Sequence, residues 1–187
     1  MISKKFLENT KDKAPNRVLL EALPYVKTIG RALDLGCGAF RDTMFLAEKG
    51  FVVDAVDSSP DVSVYLPEND AIHFSAVSFS DFPYPENEYD LVTAQYSLPF
   101  CEPEKFPDVW QKIITSLKKG GIFTGQFFGY EDGFAPNAQM TFLNKEHVEE
   151  LFSDCIVHTF VEAKRTKKTA TGREKFWHIF DVIAEKK

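Results

Sequence analysis

Residues Leu33 to Phe40 read Leu-Asp-Leu-Gly-Cys-Gly-Ala-Phe, and 21 residues after Gly36 a second apolar run, Phe51 to Val56, closes on Asp57. This pairing constrains the fold more than any other feature of the chain. Leu33 to Leu35 can finish a buried strand. The glycines let the backbone turn sharply and approach a ligand with no Cβ in the way, and Arg41 to Lys49 has the composition of a following helix. Strand, turn, helix and strand in this order predict a βαβ unit, with Asp57 beside the first strand's turn. A carboxylate there accepts hydrogen bonds from both hydroxyls of a ribose, so the expected ligand is a nucleoside-containing cofactor.

Two cofactor classes use that geometry. A dinucleotide fingerprint wants a third glycine where Arg41 stands and a helix N-terminus tight against pyrophosphate. This chain has Phe40 and Arg41 there, which weighs against NAD(P). Asp34, two positions before the first glycine, is poorly placed for pyrophosphate and well placed for a cationic amino group, as in S-adenosylmethionine.

At these residues the chain resembles the class I S-adenosylmethionine-dependent methyltransferases, and among them the small bacterial enzymes similar to tellurite-resistance and thiopurine methyltransferases. Asp34-Leu35-Gly36-Cys37-Gly38 looks like the family's first motif and Ala55-Val56-Asp57 like its second. Phe82-Pro83-Tyr84-Pro85 through Tyr89-Asp90-Leu91-Val92 resembles the run into the fourth strand, and Leu117-Lys118-Lys119-Gly120-Gly121 the turn before the fifth. The resemblance implies an α/β fold: a Rossmann-like, seven-stranded, mostly parallel sheet with helices on both faces and an antiparallel C-terminal hairpin. It implies S-adenosyl-L-methionine as cofactor, with Asp34, Gly36, Cys37 and Gly38 at its methionine end and Asp57 and Ser58 at its ribose. Arg41 and Asp42 either anchor the methionine carboxylate or cap the helix, with a cap favoured for Asp42. Ser78 falls where the family commonly has an acidic residue for the adenine amino group, and the backbone of Phe79 follows it. Asp81 stands three residues beyond Ser78, as a loop residue or a second adenine contact. Phe40 departs from the family, which often has glycine there. Either the loop swings wider or the ring forms a wall of the cofactor pocket.

Composition bounds the remainder. With 187 residues, 44% hydrophobic and 27% charged, the chain is expected to form a single methyltransferase domain, 1–187, with 1–30 as an N-terminal helical cover and 31–187 as the core. No run approaches the roughly 20 apolar residues of a bilayer span, and the N-terminus lacks an apolar signal core. Cys37, Cys101 and Cys155, odd in number and widely spaced, fit a reducing, cytoplasmic setting and form neither a disulfide framework nor a zinc site; no metal is expected. A net charge of −6 disfavours a nucleic-acid substrate. The densest basic run, Lys164 to Lys168, reads as a solvated hairpin loop. The expected partner is a small-molecule methyl acceptor, with no membrane association, on a monomer or weak homodimer.

Strands are predicted at Arg31 to Leu35, Val52 to Asp57, Ile72 to Ser75, Tyr89 to Gln95 and Gly121 to Phe128, alternating with helices in the α/β manner. A helix at Asn16 to Tyr25 faces the sheet with Val18, Leu19, Ala22 and Leu23. The helix Phe106 to Leu117 buries Phe106, Val109, Trp110, Ile113, Ile114 and Leu117 and is stopped by Gly120-Gly121. Asn144 caps a helix through Phe152, and strands Ile156 to Ala163 and Glu174 to Ala184 form the terminal hairpin.

Ligands of such sheets bind outside the carboxyl ends of the strands. After the fourth strand, Gln95 and Tyr96 are therefore the best catalytic candidates, with Gln95 also touching the cofactor. Methyl transfer is an in-line displacement on an already activated sulfonium, so the protein mainly aligns the acceptor and excludes water. Thiols, chalcogen oxyanions, halides and small oxygen or nitrogen acceptors remain open. Phe127, Phe128, Tyr130 and Phe134 follow the fifth strand as pocket wall or as ordinary core and loop, and Gly129 to Met140 has the composition of a lid. Cys37 reads as a small filler, and His73, His147, His158 and His178 form no motif. Two rival readings stand beside the methyltransferase: a non-catalytic module binding S-adenosylmethionine or S-adenosylhomocysteine, and an NAD(P)-dependent oxidoreductase.

Overall fold

The computed structural model describes residues 3–187. Ser3 caps a short helix α1 (Lys4–Thr10), and Asn16, following Pro15, caps α2 (Arg17–Ala22) by accepting the Val18 N–H at 3.0 Å. The expected helix to Tyr25 tightens into a 3-10 turn at Leu23–Tyr25, where Pro24 supplies no N–H to continue it. Then follow β1 (Arg31–Leu35), α3 (Arg41–Glu48), β2 (Val52–Val56), β3 (Ile72–Ser75), β4 (Tyr89–Ala94), α4 (Phe106–Ser116), β5 (Leu117–Phe128), α5 (Lys145–Leu151), β6 (Cys155–Lys168) and β7 (Glu174–Lys186).

The seven strands form one sheet in the order β3-β2-β1-β4-β5-β7-β6, parallel from β3 to β5. β7 runs antiparallel between β5 and β6, and with β6 it forms the antiparallel C-terminal hairpin that the resemblance implied. Both faces of the parallel part are covered, which is why β4 is buried along its whole length and β1 nearly so. On one face α4 and α5 pack Trp110 against Phe123, Phe127 and Phe152, with ring centroids 5.0 to 5.6 Å apart. On the other, α2 and α3 pack Val18, Leu19, Ala22 and Leu46 over Ala32, Val53, Leu91, Ile122 and Ile183.

Two expectations are corrected. The helix α4 ends at Ser116, before Gly120-Gly121, because Leu117 is fully buried and pairs with Tyr89 at the start of β4. Sheet pairing captures the chain there, and Gly120 (φ 78°) sits inside a strand whose register shifts between Tyr89 and Leu91. The basic run Lys164 to Lys168 belongs to β6 and is not a loop. Its pairing with β7 continues to Lys168 opposite Glu174, and only Thr169–Arg173 turn the corner around Gly172 (φ 92°). Lysines on this edge strand still face water, where they oppose edge-to-edge pairing.

Candidate functional site

The carboxyl ends of β1, β2 and β4 meet at one edge of the sheet. Leaving β1, the Gly36 and Cys37 N–H groups both donate to the Val56 carbonyl at the end of β2, at 2.7 and 3.1 Å. Gly36 has φ 78°, and a Cβ there would lie 2.3 Å from the Cβ of Ser97, so glycine is required both by the turn and by the close approach of the chain after β4. Ser97 Oγ in turn donates to the Leu35 carbonyl. Asp57 accepts the Gly38 N–H on Oδ2 at 3.1 Å and the Ser59 N–H on Oδ1 at 2.9 Å, and burial pushes its carboxyl up while these two bonds pull it down. Four acceptor positions less two leave lone pairs for two further donors. Ser58 beside it is exposed.

Asp34 is 2% exposed, and Thr43 donates to its Oδ2 at 2.6 Å. Burial, helped by the nearby Asp42, pushes the Asp34 carboxyl up to about 7. Asp42 is not a cap. Phe40 holds the N-cap position of α3 with a left-handed backbone (φ 59°) and no side-chain bond. Asp42 lies in the first turn, where it pairs with Arg41 at 2.7 Å and accepts the backbone N–H of Asn16 at 2.8 Å. It thereby ties the N-terminal cover to the β1–α3 turn. The Phe40 ring is fully buried with Leu7, Ala55, Val62 and Ile72, edge-on to Phe74. It is part of the core beneath the turn and neither widens the loop nor walls a pocket. Cys37 is buried in the same cluster, and burial raises its thiol well above the ordinary value, in keeping with a filler.

After β3, Ser78 Oγ donates to Asp81 Oδ2 at 2.6 Å and lies 2.9 Å from Ser80 Oγ. The two residues weighed for adenine are thus one linked group, with half-buried Phe79 packed on the main core beside them.

After β4, the Gln95 amide donates to Thr93 Oγ1 at 2.9 Å and to the Thr124 carbonyl at 3.3 Å. Tyr96 adopts φ 58°, uncommon for a bulky residue, and its N–H donates to Gln126 Oε1 at 3.0 Å. Its ring stands edge-on to Trp177 (5.7 Å) and tilted to Phe128 (6.4 Å), and burial, then the charge of Asp181, pushes its hydroxyl up. Gln126 and Asp181 face each other across β5 and β7, 0% and 2% exposed, and Arg17 of α2 reaches Asp181 Oδ2 at 2.6 Å. Sequence reasoning missed Gln126, Asp181, Arg17 and Trp177. The available signal was a glutamine and an aspartate inside the otherwise apolar runs Ile122 to Phe128 and Ile179 to Ala184.

The segment after β5 folds back rather than hanging free. Thr141 bonds to the Pro99 and Cys101 carbonyls, and Asp132 accepts the Phe134 and His178 N–H groups. Lys175 forms a buried ion pair with Asp132 at 2.5 Å, off the line of a straight hydrogen bond, and its ammonium lies 3.5 Å from the Trp177 ring centroid and 4.1 Å from that of Phe134. Burial lowers the Lys175 pKa and Asp132 opposes the shift. Phe127 is core, Phe128 and Phe134 join this aromatic group, and Tyr130 is exposed. The four histidines form no cluster: His73 meets Asp54, His158 stacks on Tyr25, His178 meets Glu162, and His147 lies exposed on α5. A surface groove of about 460 Å³ lies at the opposite end of the sheet, around Lys27, Lys119, Gly120 and Glu185, away from all of these groups.

Residues 32–121 match a family described as a methyltransferase domain. An uncharacterised methyltransferase of Synechocystis sp. is 31% identical over 97 residues, half of this chain and 44% of that protein, so the chain spans less than half the length of this relative. In structure the chain is similar to TehB from Haemophilus influenzae, with a TM-score of 0.81 at 18% identity, covering 97% of this chain and 66% of TehB. It is also similar to a Burkholderia thailandensis 1,6-didemethyltoxoflavin-N1-methyltransferase solved with its substrate and S-adenosylhomocysteine: TM-score 0.64, 20% identity, 90% of this chain and 76% of that one.

Proposed function

We propose that the chain is a class I S-adenosylmethionine-dependent methyltransferase that transfers the methyl group of S-adenosyl-L-methionine to a small-molecule acceptor, a reading supported by the methyltransferase-domain match over residues 32–121 and by the sheet order described above. The observation that carries this reading is Asp34. A carboxyl held at about 7 by burial is what a site for a cationic amino group contains before its cation arrives, and the one nearby guanidinium, Arg41, is already committed to Asp42. The spare lone pairs of Asp57 fit a ribose in the same way. No third glycine follows, and Phe40 is buried in the core instead, which disfavours pyrophosphate and the oxidoreductase.

S-adenosylmethionine, when bound, supplies a methyl group already activated on a sulfonium. The chain's own residues then divide the work. Asp34 holds the amino group, with Gly36, Cys37 and Gly38 forming the turn against the methionine end and Arg41 within reach of its carboxylate. Asp57 takes the ribose hydroxyls with Ser58 at the rim, and Ser78 and the Phe79 amide read the adenine. Gln95 and Tyr96 stand between cofactor and acceptor and align the acceptor for in-line attack. The cover formed by α1 and α2 excludes water, a role supported by the Asp42 to Asn16 bond. A general base is not required when the acceptor arrives with a free lone pair. Three unpaired cysteines support a cytoplasmic setting, and a monomer or weak homodimer without nucleic acid accords with the acidic charge. Among the described residues, no helix is long and apolar enough to cross a membrane.

The test is calorimetric titration with S-adenosylmethionine and S-adenosylhomocysteine beside NADH. Binding of the first two alone is expected, followed by turnover in an acceptor screen. Binding of NADH alone, or of none, overturns the reading, and tight binding with no acceptor ever methylated would favour the non-catalytic module.

A further inference from the structure

The face of β5 and β7 beneath α2 changes character along its length. Ile122 and Ile183 are apolar and sit under Val18 and Leu19; Phe128, Ile179 and Trp177 are apolar at the far end. Between them lies a polar belt of Thr124, Gln126 and Asp181, met from the end of β4 by Gln95. Such a belt inside a core is expensive unless each group is bonded. The hydroxyl of Thr124 is satisfied by the Val18 carbonyl at 3.3 Å. Three other atoms have no partner among the described residues: Gln95 Oε1, Gln126 Nε2 and Asp181 Oδ1.

These atoms are held in place by their other ends. The Gln126 amide oxygen is fixed by the Tyr96 N–H, which leaves its NH₂ as a donor. The Gln95 amide nitrogen is fixed by Thr93 and the Thr124 carbonyl, which leaves its oxygen as an acceptor. Arg17 takes Asp181 Oδ2 and orients that carboxylate, which leaves Oδ1. The belt adjoins the Tyr96 ring and, on the same sheet face, Trp177, so its neighbour is an aromatic surface that suits a flat molecule. Half-buried Gln95 and Tyr96 form its border on the cofactor side.

We propose that Gln95, Gln126 and Asp181 are the acceptor-recognition residues of this methyltransferase, and that they select a planar nitrogen acceptor carrying N–H donors beside an unprotonated ring nitrogen, such as a weakly basic amino-substituted nitrogen heterocycle. The inference rests on the methyltransferase reading and narrows its acceptor. Two oxygens, one of them anionic, call for N–H donors, and the single amide NH₂ calls for one acceptor atom. A chalcogen oxyanion or thiolate would meet Asp181 Oδ1 and Gln95 Oε1 with like polarity, and the positive groups nearby are engaged: Arg17 with Asp181 and Glu21, Lys175 with Asp132, and Arg165 beside the Tyr96 hydroxyl.

The experiment is ligand-observed NMR or calorimetry on the full chain saturated with S-adenosylhomocysteine, using 2-aminopyrimidine and 4-aminopyrimidine against selenite and 2-mercaptoethanol. At least one of the nitrogen probes is expected to bind, and Asp181→Asn and Gln126→Glu each to weaken it by about tenfold or more, with affinity for S-adenosylhomocysteine within about twofold of the parent because the cofactor's residues lie elsewhere. Retained cofactor binding also reports that the variants are folded. The proposal is overturned if the nitrogen probes do not bind the saturated chain, if their binding ignores both substitutions, or if selenite or the thiol binds in their place. Failure of the parent chain to bind S-adenosylhomocysteine at all would instead remove the methyltransferase reading, and the acceptor inference with it.

Discussion

At the ends of β1 and β2 the backbone amides of the turn are already bonded within the protein, whereas in the belt of Gln95, Gln126 and Asp181, on the β5–β7 face and at the end of β4, three buried polar atoms have no partner among the described residues. The first region is assembled from short sequence spans: Gly36, Cys37 and Gly38 meet Val56 and Asp57 directly across neighbouring strands. The second draws Arg17, Gln95, Gln126 and Asp181 from four distant parts of the chain. Under the proposed function, the difference teaches how one sheet can keep a common ligand and vary its partner. A turn locked by its own backbone changes little when side chains elsewhere change, while a belt of side-chain amides and a carboxylate can be rewritten one residue at a time.

The comparison can be broken most forcefully at Lys175. Its ion pair with Asp132 is buried on both sides (3% and 0% exposed), so Lys175→Met strands a carboxylate in the core and is expected to cost about 3–5 kcal/mol of stability. Thermal melting measures this, and adding Asp132→Asn should return part of the loss. If the two regions are independent, the folded variant keeps its affinity for S-adenosylhomocysteine; a parallel loss of affinity would show that the acceptor side props up the cofactor side.

A smaller effect is expected at Asp57. Asp57→Ala removes the acceptors proposed for the ribose and frees the Gly38 and Ser59 N–H groups, which should weaken cofactor binding by about 1.5–3 kcal/mol. Calorimetry with S-adenosylhomocysteine reads the change, and unchanged affinity in a folded variant would take Asp57 out of the site.

The gentlest probe is pH, acting through Asp34. Its carboxyl stands at about 7 in the folded chain against an ordinary 3.8, so between those values the folded state holds a proton that the unfolded chain has released. The contribution of Asp34 to the stability of the free protein is therefore full below about pH 4 and is lost as pH rises through about 7. Cofactor affinity should run the other way. The cationic amino group pairs with the ionised carboxylate, so affinity climbs toward pH 7 by up to about tenfold per unit and levels off above it. Titrations across that range test the slope. Asp34→Asn should flatten it, and a slope that survives in the variant would assign the titration to another group.

Much of the geometry of the proposed cofactor region was legible in the chain alone because its determinants are local. Glycine at 36 reflects a left-handed turn, and alternating strand and helix patterns place Asp57 beside it without any knowledge of the other elements. The terminal hairpin was legible for the same reason, though its basic run was read as loop. Ladder pairing with β7 carries those lysines further into the strand than their polarity suggests. Phe40 and Asp42 were misjudged because each answers to a distant partner: the ring to a core built from α1, β2 and β3, and the carboxylate to the amide of Asn16. Propensity at one position carries no information about either.

By itself the sequence determined the βαβ unit, the parallel character of the sheet, the terminal hairpin, and the glycine turn with its two carboxylates, since hydrophobic period and backbone freedom are properties of neighbouring residues. Only the tertiary structure decided that Gln126 and Asp181 lie side by side under Arg17, with Tyr96 clasping the glutamine. Their meeting depends on β7 inserting between β5 and β6 and on α2 crossing that face, and a polar residue inside an apolar strand acquires its meaning from whatever the fold places across from it.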